Sequence, residues 1–211
     1  MDKLKTYLKH PLSFVLLILI GLASIITVAS IIFIIIYILV NGIPNLTTDL
    51  FSLHYNSKNQ SMLPSIFNTV FITFLTLLIA VPIGIFSAVY LVEYAKKGSK
   101  LVKVIRVTTE TLAGIPSIVF GLFGFLAFVI ALGWGYSMIA GVLTLVMMVL
   151  PTIIRTTEEA LLAVPNSYRE GSFGLGAGKI RTIFKIIVPT AIPGILSGVI
   201  LAIGRIVGET A

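Results

Sequence analysis

Cysteine is absent from the 211 residues, which removes disulfides, thiolate-held zinc, iron–sulfur clusters and thiol nucleophiles together. Histidine occurs only as His10 and His54, on separate segments, so neither a His-based metal site nor a His relay is expected. No catalytic residue, metal or cofactor is assigned. Charge is scarce as well: Asp, Glu, Lys and Arg make up 11% of the chain, against about 25% in soluble domains. What remains is 57% hydrophobic, with a mean hydropathy of +1.10. A net charge of +7 would suit a phosphate backbone. Here, however, the basic residues flank apolar runs instead of forming one patch with aromatics, and no nucleic-acid partner is expected.

Stretches free of Asp, Glu, Lys, Arg and His run over Leu12 to Val40, Ser65 to Val92, Thr111 to Ile154 and Ile186 to Gly204. A helix needs about 20 apolar residues to cross roughly 30 Å of hydrocarbon. The first, second and fourth stretches each supply one crossing and the third supplies two, kinked in places by Pro82, Pro116 and Pro151. The fold class is therefore all-α, a polytopic membrane helix bundle with five spans. The first run is too long for the apolar core of a cleaved signal peptide, about 7–15 residues, and is read as a retained span. The organisation expected is an N-terminal segment 1–11, a first span 12–40, a loop 41–64 and a bundle 65–211. The run is still apolar at Thr210-Ala211, so the fifth span is expected to be truncated.

Positive charge orients the spans. Lys3, Lys5 and Lys9 precede the first span, Lys96, Lys97, Lys100, Lys103 and Arg106 follow the second, and Arg155, Arg169, Lys179, Arg181 and Lys185 follow the fourth. Lys58 stands alone on the other side, and the turn Gly133-Trp134-Gly135-Tyr136-Ser137 has no basic residue. Lys and Arg accumulate on the cytoplasmic side. The N-terminus and the two basic loops are therefore expected in the cytoplasm.

The loop 155–185 is rich in glycine but lacks nucleotide-binding spacing. Gly178-Lys179 is followed by Ile180, and Phe173 stands where a phosphate loop has its first glycine. A short exposed helix is expected instead. Ser167-Tyr168-Arg169-Glu170 has the form of a capping box, in which Ser167 and Glu170 satisfy each other's backbone N–H groups. Gly174 and Gly176 end it. Tyr168, Phe173 and Leu175 either form a knob for a partner's groove or lie on the membrane surface.

Glu170-Gly171-Ser172, then three residues, Gly176, nine residues and Ile186-Ile187-Val188-Pro189 resemble the EAA loop of permeases in ATP-binding-cassette importers. Gly171 and Ser172 replace the two alanines of that pattern, and Val188 replaces a leucine. The resemblance implies that Tyr168, Glu170, Gly171, Ser172, Phe173 and Gly176 form a coupling helix docked into an ATP-hydrolysing partner.

Arg205 and Glu209 stand four residues apart in an otherwise apolar helix, close enough to pair. A charge at the bilayer centre costs about 2.5–3.5 kcal/mol or more, so such residues face protein or water. At about 100° per residue, Gly194 and Gly198 fall within roughly 20° of Arg205, and Glu209 within about 40°. The charged stripe thus continues a small-residue stripe of the kind that lets helices approach closely. Two readings stand. The pair pins two helices together, or the guanidinium fork receives a tetrahedral oxyanion.

Arg205-Ile206-Val207-Gly208-Glu209-Thr210-Ala211 resembles the fifth-span signature of phosphate-importer permeases of the PstA type. Leu112-Ala113-Gly114-Ile115-Pro116-Ser117-Ile118-Val119-Phe120-Gly121-Leu122 and Ala88-Val89-Tyr90-Leu91-Val92-Glu93-Tyr94 are similar to that family too. The resemblance covers residues 65–211. It implies the importer-permease fold with six spans in a prokaryotic cytoplasmic membrane, and a substrate path past Arg205 and Glu209. It also implies three partners: a PstC-type permease, an ATPase dimer, and a periplasmic or extracellular phosphate-binding protein. The chain itself is then no enzyme. Importers of molybdate, tungstate or sulfate, and an ion-coupled carrier, are the alternatives.

Overall fold

The computed structural model describes residues 11–56, 61–96 and 98–210. Lys3, Lys5, Lys9, Lys58, Lys97 and Ala211 lie outside the described residues, and with them part of the charge pattern used above. Among the described residues every regular element is helical.

The chain falls into two units, Met1–Leu63 and Pro64–Ala211. In the first, α1 spans Pro11–Gly42 and its apolar side chains are exposed on every side, as a lipid-facing span requires. Three of its hydroxyls are satisfied by their own backbone: Ser24, Thr27 and Ser30 each donate to the carbonyl four residues back at 2.8 Å, which keeps them paired in lipid. Two short 3₁₀ turns follow, Ile43–Asn45 and Thr48–Phe51.

The second unit is a bundle. Helix α2 spans Leu63–Val89 and continues as a π-type turn over Tyr90–Tyr94. Helix α3 spans Lys100–Ala113. Helix α4 spans Ser117–Gly124 and runs on as a π-type stretch to Ala131. Helix α5 is Met138–Leu162, and α6 is Asn166–Gly174. The short α7, Lys179–Thr182, passes through a π-type turn, Ile183–Ile187, into α8, Val188–Thr210.

Four helical stretches are long and apolar enough to cross a membrane, or five when α3 and the α4 limb count as one bent span. The described residues thus supply four crossings, or five with that bent pair, and the third member differs from expectation. Pro82 and Pro151 stay inside continuous helices, whereas the chain turns by 103° between α3 and α4. The cause lies at Pro116. It has no N–H to continue a helix, and it pushes Ile115 out of helical backbone. Gly114 closes α3 by donating to Thr111 O at 3.1 Å, and Pro116 then opens α4 as its cap. The limb Ser117–Ala131 reaches only about 22 Å at 1.5 Å per residue, short of the roughly 30 Å core.

Helix α5 is the centre of the bundle. Val149 and Ile153 are wholly buried in one apolar cluster with Ala202 and Ile206 of α8, and Leu161 in a second with Ile187 and Ala191. The two helices approach closely because α8 presents glycine. A Cβ at Gly194 would come within 2.6 Å of the Ala160 Cβ, and one at Gly198 would collide with the Thr156 hydroxyl. Without a hydrophobic effect between helices in lipid, such contact is what holds them together.

Candidate functional site

Besides the ion pairs Arg106–Glu158 and Arg155–Glu159 of α3 and α5, polar side chains gather on the helix α6 at one end of the bundle and in the second half of α8.

Helix α6 begins two residues earlier than the spacing suggested. Pro165 occupies the cap position, with no side-chain capping bond, and the helix opens at Asn166. Ser167 therefore already has helical backbone and cannot serve as cap, since a cap residue stands outside the helix. The capping box does not form. Glu170 is exposed.

The other end is built as the glycines suggested, with Gly176 as the residue that matters. Gly176 has φ of 80°, in the left-handed region where a side chain costs about 1–2 kcal/mol. That conformation lets Ala177 N–H donate to Ser172 O at 3.1 Å, and Gly176 N–H to Phe173 O at 2.9 Å. This double closure satisfies the last carbonyls of the helix. It also turns the chain sharply into α7.

Of the coupling residues expected, Tyr168, Glu170, Gly171, Phe173 and Gly176 are exposed, and so is Leu175 at 91%. Ser172 is not: it is buried, with its Oγ 2.8 Å from Thr182 Oγ1. Thr182 donates to Gly178 O at 3.2 Å, so Ser172 is the donor in that pair. Ser172 thus ties α6 to α7 and presents nothing outward. A small hydroxyl fits where the resembling pattern has alanine because Thr182 is there to receive it.

Sequence reasoning gave Arg169 no role beyond its charge. Its Nη2 and Nε donate to Glu93 Oε1 at 2.8 and 3.1 Å, its Nη1 to Val164 O at 2.9 Å, and its Nη2 also to Leu161 O at 3.1 Å. The two side chains are 16% and 10% exposed. Nearby, Lys179 Nζ lies 4.6 Å from the centre of the Tyr94 ring, a cation–π contact. The one local signal was a lone carboxylate, Glu93, at the end of an uncharged run. Its partner 76 positions on has no signature in the sequence.

In α8, Gly198, Ala202 and Ile206 are buried against the bundle and Arg205 is half-buried beside them. Glu209 is exposed, although by helical angle it falls in the middle of this buried stripe. The reason is a cavity of about 570 Å³, lined by Glu209 and Thr210 together with Ser117, Tyr136, Ser137 and Thr144 among others. Among the described residues Arg205 and Glu209 make no ion pair, because the carboxylate is turned to the cavity. Thr69 of α2 donates to Thr210 O at 3.2 Å. Counting along the antiparallel α2 and α8 from that bond, Arg205 lies roughly 16 Å from the start of α2 at 1.5 Å per residue.

Residues 80–211 match the family described as binding-protein-dependent transport system inner membrane component. The chain belongs to that family. It is therefore an integral inner-membrane component with several helical spans. The probable ABC transporter permease protein YqgI of Bacillus subtilis (strain 168) is 37% identical over 193 residues, 90% of this chain and 65% of that protein. The phosphate transport system permease protein PstA 1 of Mycobacterium tuberculosis (strain CDC 1551 / Oshkosh) is 47% identical over 133 residues, 63% of this chain and 43% of that protein. The chain thus spans less than two thirds of the length of either curated relative. A chain of the MetNI methionine ABC transporter, solved in an inward-facing conformation, superposes with a TM-score of 0.56 at 23% identity. The match covers 69% of this chain and 67% of that one. The bundle is accordingly that of an ABC importer permease.

Proposed function

We propose that the chain is a permease subunit, of the PstA type, in an ATP-driven importer of inorganic phosphate. The observation that carries this reading is Arg205. It is a half-buried guanidinium with no partner among the described residues, one helical turn before Glu209, which lines a cavity. A planar fork binds a tetrahedral oxyanion bidentately, and the nearby carboxylate keeps the empty path from holding anions too tightly. Support from relatives comes through the name of the mycobacterial protein.

In this reading residues 65–211 form the permease core, and 155–185 the coupling loop. The exposed knob of Tyr168, Phe173 and Leu175, with Glu170 and Gly171 on the same short helix and Gly176 at its end, docks into an ATPase dimer. A PstC-type permease supplies the other half of the path, and a periplasmic or extracellular binding protein delivers phosphate. The N-terminus and both basic loops face the cytoplasm. Hydrolysis belongs to the ATPase, and this chain is no enzyme.

The test is phosphate uptake by vesicles holding the assembled transporter. Arg205→Ala is expected to abolish uptake while assembly is normal; intact uptake would overturn the path assignment. Gly176→Trp or Glu170→Lys is expected to lose co-purification of the ATPase, and unaffected association would overturn the coupling assignment. Preference of the same vesicles for molybdate, tungstate or sulfate over phosphate would replace the substrate.

A further inference from the structure

Helix α6 is carried from α5 by residues 163–165, and two further attachments tie it to the bundle. One is covalent: α7 and the π-type turn Ile183–Ile187 carry it directly into α8. The other is Arg169, whose guanidinium reaches Glu93 in the last turn of α2. It spans that gap with both nitrogens of one edge on one carboxylate oxygen, while Val164 O and Leu161 O at the end of α5 and just beyond it hold the group in place. A mostly buried, multiply bonded pair of this kind is geometrically specific. Removing one partner leaves an uncompensated charge.

At the opposite ends of the same two helices, Thr69 of α2 bonds Thr210 of α8, beside Glu209 in the cavity wall. Helices α2 and α8 are thus bonded near the cavity and share buried apolar clusters, while the Arg169–Glu93 pair ties α2 to α6 at the foot. We infer that the Arg169–Glu93 pair is a transmission clasp: it makes α2 move with α8 when α6 is displaced, so that both helices flanking the candidate path shift as one body. Without it, a push on α6 reaches α8 through the chain, and its transfer to α2 is left to the apolar packing of Ala80, Ala88 and Val89. Arg169 and Glu93 are positioning residues in this scheme, and neither touches the transported ion. The inference rests on the coupling role proposed for α6, and the experiment separates the two.

The whole transporter, with its second permease, ATPase and binding protein, is reconstituted in vesicles, and phosphate uptake and ATP hydrolysis are measured in the same sample. Glu93→Gln keeps the shape of the side chain and removes its charge. Hydrolysis is expected to stay near the parent level while phosphate moved per ATP falls about tenfold, within the 5–150-fold range of ordinary coupling energies. Arg169→Lys, which keeps the charge but not the fork, is expected to lose less. A merely structural pair would lower both activities together with the amount of assembled complex, and that result overturns the inference. An unchanged ratio in an assembled complex overturns it as well, and leaves the docking of α6 untouched. Loss of that docking is read separately, from ATPase co-purification with Gly176→Trp. Should Glu93→Gln fail to assemble, the absence of native cysteine from this chain allows Glu93→Cys with Arg169→Cys and a short bifunctional thiol reagent. Recovery of phosphate moved per ATP on cross-linking supports the clasp. A pair that assembles only when cross-linked, or whose ratio does not recover, overturns it.

Discussion

Two arginines divide the bundle between them. Arg169 makes every contact its fork allows in that space: one carboxylate and two main-chain carbonyls, with an amide oxygen of Asn166 at 3.4 Å. Arg205 lies half-buried in α8 and, among the described residues, makes no hydrogen bond or ion pair. The same side chain is consumed by the protein in one place and left available in the other. A guanidinium inside an apolar chain is expensive in either case, so the difference lies in what each position gives in return. Arg169 joins three helix ends. Arg205 stands one helical turn before Glu209 of the cavity wall, and in the proposed importer it waits for an anion.

The comparison can be broken by substitution, and the largest effect is expected at the satisfied arginine. Arg169→Ala strands the Glu93 carboxylate in a mostly buried site, and chemical denaturation of the purified protein in detergent should show a loss of about 3–5 kcal/mol. A loss under about 1 kcal/mol would place water or another cation at Glu93 and remove the contrast. Next is the seam beside Arg205. Gly198→Val forces a side chain into Thr156 and should cost about 1–3 kcal/mol or more by overpacking, read in the same way. Gly176→Ala comes third. It puts a Cβ on backbone at φ of 80° with nothing within 4 Å to obstruct it, so only the conformational penalty of about 1–2 kcal/mol applies. Smallest is Arg205→Ala, expected to leave the protein within about 1 kcal/mol of the parent or slightly more stable, since an unpaired charge in a membrane helix costs folding energy. A loss as large as that of Arg169→Ala would mean that Arg205 is also a structural pin.

Much of this architecture was legible beforehand because lipid imposes a one-dimensional rule. A run of apolar residues must be long enough to cross, and its backbone must satisfy itself, so the positions of the spans follow from composition along the chain. The glycine stripe of α8 and the helix-ending role of Gly176 follow from local periodicity and from the conformational freedom of glycine. Other features escaped for reasons just as physical. Pro82, Pro116 and Pro151 look alike in sequence. Only Pro116 breaks its span, because Gly114 beside it offers the preceding helix a stopping place. Ser167 has the letters of a cap but sits one residue inside the helix that Pro165 opens. Ser172, expected to face outward, is turned in by Thr182.

The chain by itself determined that this is a multi-span helical membrane protein, where its crossings fall, and that one short helix between two of them is exposed, since each depends on neighbours along the backbone. Only the tertiary structure decided which charges are used up and which are free. Whether Arg169 meets Glu93, and whether Glu209 closes on Arg205 or opens to a cavity, depends on distances between helices that the order of residues does not encode locally. An ion pair is a property of two positions in space, and the packing of α2, α5 and α8 is what brings them together or keeps them apart.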